Sequence, residues 1–495
     1  MRIVFSLLLS VALLAPIPAA AAEQWIEVKS AHFTLTSNAS DGATRKLAWQ
    51  LEQIRSAIGV LWPWARLDLT KPLSVLVVKD ETSMKALVPG YWEKKGGVRP
   101  VTVWVSGADQ NYLAIRVDTE TRDELNVNPY VSSYFSYVSL ILQQSVPRPL
   151  PLWFSRGLSG VMSNTIVRDA KILLGPPIPW HLERLRDGSR LPTAALLKVD
   201  RESPEYTSGD GLSAFDAQAW AFVHFLMFAD NGARWPKLDQ FARMAASGAD
   251  PDVAFREALG KPEDLTSVFL AYVNRSLFSF RQINVDVTVK REGFVATRLA
   301  AAEAASRRAL LHAAMRRPVE ARAAIAEARQ AGSAPESDVA EALLLDAEDK
   351  DDAAQAAFAK AVESGSASPY AHYRLASLLW RGEPDDKTMA RIEQLLARAV
   401  ALNPRYAYAH AMLAEARSVL KIGQPIGIAL HAISLEPGDT YPRLVAARIL
   451  WREGKHDEAL KHAESALSLA DTEGERQRAK DTIAQITRAK AAGRR

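Results

Sequence analysis

Along residues 23 to about 118 the apolar positions switch between two periods. Trp25–Val28 and Phe33–Thr36 alternate as short strands do, while Asp41–Leu61 places apolar residues at helical spacing, with Asp41 available as a cap. Leu73–Val78 (LSVLVV) is a continuous apolar run, the pattern of a buried strand. Val101–Val105 and Tyr112–Val117 are further strands, separated by Gly107, Asp109 and Asn111. From about Pro129 the pattern is helical: Tyr130–Gln144, Pro151–Asn164, Ala214–Ala229, Trp235–Ala246, Pro251–Leu259 and Lys261–Leu277. Pro151 fits a first helical turn, where the missing N–H costs nothing. Phe278–Glu292 alternates again through Ile283, Val285, Val287 and Val289 and reads as a junction.

From about Phe294 the chain is alanine-rich, helical and repetitive. Ser368-Pro369, Asn403-Pro404 and Glu436-Pro437 punctuate it, with prolines 35 and 33 residues apart. Two phrases recur, AVALNP at Ala399–Pro404 and AISLEP at Ala432–Pro437. Gly454 separates two helices, and Ala459, Ala463 and Ala466 offer small side chains where helices approach closely. On these residues the segment resembles the tetratricopeptide (TPR) repeats, whose unit is two antiparallel helices of about 34 residues. About five units fit, the first two (303–365) weaker. Pro425 falls where the family prefers a small alanine, and an insertion interrupts the repeat near Trp380–Asp386. Such stacks expose a concave surface for a protein or peptide.

Composition changes the picture in three ways. The 61 basic and 57 acidic residues are too evenly balanced to argue for nucleic acid. Arg488, Lys490, Arg494 and Arg495 read as a frayed, solvated tail. The chain has no cysteine, which excludes disulfides, thiolate metal sites and a Cys nucleophile. At the N-terminus, Arg2, the apolar run Ile3–Leu14 and the small residues Ala19–Ala22 form the pattern of a secretory signal peptide over residues 1–22. Pro16 and Pro18 interrupt that run short of a membrane span, and no later segment reads as one, so the expected location is periplasmic or secreted.

The first domain carries the more specific resemblance. Trp25, Val28, Ser30 and Phe33 form a W-x-x-V-x-S-x-x-F opening; LPLWFSRGLS follows at Leu150–Ser159 and FDAQAWAFVHFL at Phe215–Leu226. Residues 23–277 thereby resemble the bacterial peptidase-MA-like, gluzincin-type domains. The resemblance implies a zincin-like fold in which a His-Glu-x-x-His helix supplies two zinc ligands and a general base, and a Glu on the next helix supplies the third ligand. Aligned on Trp153 and Gly157, the two histidine positions hold Phe135 and Ser139, the general-base position Ser136 and the third-ligand position Arg156. None of these can play the part: Phe has no donor atom, a serine hydroxyl is a poor ligand and base, and a guanidinium is a fixed cation. Nor can a shift in alignment restore the site, because Leu125–Arg168 contains no His, Asp, Glu or Cys.

The expected architecture is therefore an α+β zincin-like N-terminal domain (23–277), a junction (278–293) and an all-α TPR-type solenoid (294–490). The expected function is a non-catalytic binding or scaffold protein with no catalytic residue, metal or cofactor. Trp153 and His224 mark a possible leftover cleft, in which Arg156 would hold an acidic group. On helical spacing His224 reads first as a buried, hydrogen-bonded core histidine. Two alternatives stand beside this. One is a divergent hydrolase using His181 or His224 with an acid such as Asp216; the other makes the first domain an inert cap on the solenoid.

Overall fold

The computed structural model describes residues 23–93, 95–96, 99–119, 127–168, 171–188, 190–275, 277–284, 291–332 and 334–492. Residues 1–22, expected from sequence to be a signal peptide, and the junction valines 285, 287 and 289 lie outside them.

Nine short strands form two sheets among the described residues: β1 (Ile26–Lys29), β2 (Thr34–Ser37), β3 (Leu73–Val78), β4 (Thr102–Ser106), β5 (Asn111–Arg116), β6 (Ile166–Arg168), β7 (Lys171–Leu174), β8 (Arg281–Asn284) and β9 (Val295–Arg298). The larger sheet runs β4-β5-β3-β2-β1-β9, and β6-β7-β8 form the smaller one. The β2–β3–β5 core of the large sheet is parallel, with β4, β1 and β9 added antiparallel. β3 is buried along most of its length, as its continuous apolar sequence requires. Two strands cross the expected domain boundaries. β8, within the junction, pairs with β7, and β9, read from sequence as the start of the repeats, forms the edge of the large sheet beside β1.

The Asp41–Leu61 helix packs on this sheet. Its cap is Ser40, whose Oγ accepts the Ala43 N–H at 3.3 Å, rather than the expected Asp41. Asp41 lies one residue inside, where it pairs with Arg45. The helices Val131–Ser145, Leu152–Ser163 and Gly209–Phe228 extend the core. Gly157 is needed where the last two cross, because a Cβ there would lie 2.4 Å from the Ala219 carbonyl oxygen. The stretch Gly211–Gly232 is long and apolar enough to cross a membrane by length and composition, contrary to the sequence reading that no later segment is; 78% of its apolar window is buried inside the protein.

Five helix pairs follow: Ala301–Ala314 with Pro318–Gln330, Pro335–Ala347 with Asp351–Glu363, Pro369–Leu379 with Asp386–Leu402, Ala407–Leu420 with Pro425–Leu435, and Thr440–Arg452 with His456–Leu469. Each pair packs on the next, giving a TPR-type stack. Alanines at the crossings (Ala321, Ala354, Ala376, Ala432, Ala459, Ala463) are fully buried, so the helix axes can approach closely. Pro425 causes no defect; it begins its helix, in the first turn where proline is tolerated. Of the C-terminal residues expected to fray, Arg488 and Lys490 instead belong to a further helix, Glu473–Ala492, which buries Ile486 and pairs Lys490 with Asp457. Arg494 and Arg495 lie outside the described residues.

The repeats lie against the N-terminal domain. One apolar cluster joins Leu76, Val78 and Tyr112 of the sheet to Leu310, Leu311 and Val339 of the first repeats. Farther along, the contact is polar: Arg66 donates to the Ser434 carbonyl at 2.8 Å, Asn403 to the Thr70 carbonyl at 3.0 Å, and Arg405 pairs with Asp68. Cavities of about 340, 410 and 320 Å³ lie along this seam.

Candidate functional site

Val131–Ser145 and Leu152–Ser163 are the helices expected to frame a zinc site, and they pack directly on each other. Phe135, Ser136, Ser139 and Arg156 are all half-buried on them. The Arg156 guanidinium carbon lies 5.1 Å from the centre of the Phe135 ring and 5.5 Å from that of Tyr206. Its Nη2 donates to Asp216 Oδ2 at 2.6 Å and its Nε to Oδ1, a two-pronged contact with the Gly209–Phe228 helix. Burial by itself would lower the Arg156 pKa; the bonds to Asp216 and that carboxylate's charge outweigh it and hold the value above the ordinary one. Ser139 Oγ donates to Ser159 Oγ at 2.9 Å across the same helix pair.

Three of the four sequence-marked positions thus engage groups of this helix layer. The residues do not fit a zinc ion. The carboxylate in this stack, Asp216, is already bound on both oxygens by a cation, and the remaining contacts are aromatic or neutral hydroxyl. The acidic group that Arg156 was expected to hold in an open cleft is supplied by the chain itself. Sequence reading sets Asp216 beside a histidine as a hydrolase acid; the structure sets it beside Arg156.

Trp153 and His224 do not line a cleft. Trp153 is 2% exposed, ringed by Phe154, Phe222, Phe241 and Phe255 at centroid distances of 5.1–5.7 Å. His224 is fully buried. Its Nε2 lies 2.8 Å from the Gly175 carbonyl and must donate there, which leaves Nδ1 to accept the Tyr272 hydroxyl at 2.7 Å. Burial pushes its pKa down to about 4, so the ring is neutral at pH 7. His181 is half-buried, its ring 5.7 Å from Trp220, and burial likewise lowers it to about 4.

The W-x-x-V-x-S-x-x-F opening has a structural use that its spacing did not reveal. Ser30 Oγ, the His32 backbone N–H and His32 Nδ1 each lie 2.7 Å from the carboxylate of Glu52, a buried residue on the Asp41–Leu61 helix. The opening is thereby fastened to the core at a charge that would otherwise be costly to bury. Glu52 went unmarked in the sequence because a single acid within an amphipathic helix reads as a solvated face. Among the described residues, no group of three or more His, Cys, Asp or Glu side chains is arranged to hold a metal ion.

No known family profile matches the chain, and no curated protein matches it. Solved structures similar to it include YrrB, described as a TPR protein with an unusual peptide-binding site, at 17% identity and a TM-score of 0.31, covering 36% of this chain and 92% of that one. A second is PilF of Pseudomonas aeruginosa, at 17% identity and a TM-score of 0.28, covering 38% and 91%. A third is a thermophilic TPR protein of Thermus thermophilus, at 20% identity and a TM-score of 0.28, covering 37% and 100%.

Proposed function

We propose that the chain is an exported, non-catalytic scaffold: a metallopeptidase-like domain without zinc chemistry, joined to a TPR-type stack that engages a protein or peptide partner. The observation that carries the non-catalytic part is the Phe135–Arg156–Asp216 stack. On the alignment that the resemblance implies, Arg156, a cation held by a carboxylate, stands for the third zinc ligand, and a fixed positive charge there would oppose a dication. Export rests on the N-terminal sequence pattern, and partner binding on the repeat architecture.

The test has two arms. The protein is incubated with excess Zn²⁺, desalted and assayed by elemental analysis and for hydrolysis of denatured casein. The expected result is substoichiometric zinc and no turnover; one zinc per chain removed by His224→Ala or Asp216→Ala would establish the divergent hydrolase instead. In the second arm a photo-crosslinking amino acid is placed along the repeats and, separately, on the Trp235–Ala246 helix. Specific adducts are expected from the repeats. Adducts from neither region would sink the scaffold reading.

The cap reading draws on one observation of its own, the apolar cluster shared by the sheet and the first repeats. It predicts that residues 300–492 expressed alone expose Leu310 and Leu311 and aggregate, while no partner is captured by the full chain.

A further inference from the structure

The first three helix pairs and the sheet-end residues Pro72, Ser74, Asp109 and Gln110 line a cavity that neither part makes alone. Tyr370 and Tyr373 on Pro369–Leu379, Tyr406 and Tyr408 at the start of the next repeat, and Tyr441 on Thr440–Arg452 form a ladder of half-buried rings. Successive centroids are 6.2 Å apart (Tyr370–Tyr373), 5.1 Å (Tyr373–Tyr406), 6.5 Å (Tyr373–Tyr408) and 5.5 Å (Tyr408–Tyr441). The turn between β4 and β5 brings Asp109 close enough for its charge to act on Tyr370 and Tyr406. Asp109 Oδ2 accepts the Tyr112 hydroxyl at 2.6 Å, while Oδ1 is buried with no hydrogen-bond partner among the described residues. Asp109 lines the cavity of about 340 Å³ together with Glu303, Glu336, Arg307 and Pro369, and Tyr370 follows Pro369 in the chain. Of the cations near the wall, Arg307 is paired with Glu27 at 2.5 Å and Lys71 acts on Asp109, so Glu303 and Glu336 leave the wall with an excess of negative charge.

Aromatic ladders suit extended, proline-containing segments. Such a segment is already ordered before it binds, and its rings pack on tyrosine faces at small entropic cost. Acidic groups at the end of the ladder select a basic side chain beside it. Building on the scaffold reading above, we propose that this composite groove binds an extended, proline-containing segment of a partner protein carrying Lys or Arg, with the basic side chain received between Asp109, Glu303 and Glu336.

The experiment uses the full mature chain and two fluorescein-labelled dodecapeptides, one alternating lysine with proline and the other glutamate with proline, read by fluorescence anisotropy. The lysine peptide is expected to bind and the glutamate peptide not to. The double variant Glu303→Lys/Glu336→Lys should weaken binding of the lysine peptide at least tenfold, and Tyr370→Ala should do so independently; unchanged circular dichroism and thermal midpoint confirm folding. Glu303 is exposed, so Glu303→Lys alone provides a variant that does not threaten the fold. Equal binding of both peptides, no binding of either, or full affinity in the double variant would overturn the groove assignment. The scaffold reading would survive any of these results if cross-linked adducts still formed elsewhere on the repeats, so the two failures are distinguishable.

Discussion

The N-terminal domain and the repeats are cored by opposite means. The first buries large aromatics in three dimensions: Trp153, Phe154, Phe222, Phe241 and Phe255 touch one another across four helices. The second buries mostly alanine and leucine, one helix crossing at a time, in clusters that become small toward the C-terminus. An aromatic core is cooperative, because one ring supports several elements. An alanine stack is nearly one-dimensional, because each crossing knows only its neighbours. The two regions should therefore fail differently, and the largest expected effect lies in the first. Trp153→Ala removes a ring that four phenylalanines enclose and should cost about 3–5 kcal/mol. Urea titration read by near-UV circular dichroism would show it, with helical signal from the repeats persisting beyond the loss of aromatic signal. A single unchanged transition would mean that the two regions unfold as one.

Acid should act on both regions at buried histidines. His224 and His181 titrate at about 4 in the folded domain, below the ordinary value for histidine, because burial opposes their charged forms. Above about pH 6.5 both states are neutral and no penalty arises. As pH falls from about 6.5 toward 4 the unfolded chain takes up protons that the folded one refuses, so stability drops through that window and levels off below it. For His224 alone the loss is on the order of 3 kcal/mol. In the repeats His312 is likewise pushed down to about 4, by burial first and by the charges of Arg308 and Arg317, against the opposing charge of Glu320. Amide exchange at about pH 5 against pH 7 should show protection lost around Gly175, His224 and Tyr272, and around His312 in the first repeat.

Asp216→Ala should cost about 2 kcal/mol, since it leaves the Arg156 cation half-buried without its two-pronged partner. Asp216→Asn, which keeps one acceptor, should recover part of that. If Asp216→Ala were neutral, the stack would not be holding the helix layer together.

At the positions marked on the two helices the sequence shows residue chemistry and no more. That Phe135, Ser136, Ser139 and Arg156 are poor zinc ligands follows from which atoms those side chains carry. What fills the place was not legible, because Asp216 and Tyr206 come from segments about 50 to 60 residues away and no spacing rule links them to Arg156. Strand and helix positions in the large sheet followed from local periodicity, as Leu73–Val78 illustrates. β9 did not: four residues of Val-Ala-Thr-Arg at the start of an alanine-rich region carry no signal of their own and become a strand only because β1 offers an unpaired edge. For the same reason the solenoid's five pairs could be counted, while its contact with the first domain, made by turn tips such as Asn403 and Gly438, could not be foreseen.

In the repeats the sensitive change is overfilling. Ala459 is fully buried in a small cluster with Ala447, Leu450, Ala463 and Ile486. Ala459→Leu has no space to enter and should cost about 1–2 kcal/mol, confined to the last pair and the closing helix. Exchange protection should fall in Thr440–Ala492 and stay unchanged in the aromatic core.

The smallest effect is expected where the two regions meet. Asp68 and Arg405 are each about half-exposed, at 47% and 48%, so water screens their pair and its contribution to stability is at most about 1 kcal/mol. Its consequence for geometry is larger than its energy. At this end the seam is held by side chains on turn tips, whereas the first repeats share a core with the sheet. Asp68 also pairs with the buried Arg55 at 2.5 Å, so the seam is broken from the other side: salt, or Arg405→Glu, should let the last repeats move away from the N-terminal domain about that apolar end without unfolding either part. The chain has no native cysteine, so Asp68→Cys with Arg405→Cys offers a clean reporter. The disulfide should form readily at low salt and more slowly at about 1 M salt, where screening is strong, with small-angle scattering showing a larger radius for Arg405→Glu than for the cross-linked form. Equal radii and salt-independent cross-linking would show that the seam is as rigid as the cores on either side of it, and that the difference between the two regions ends at their boundary.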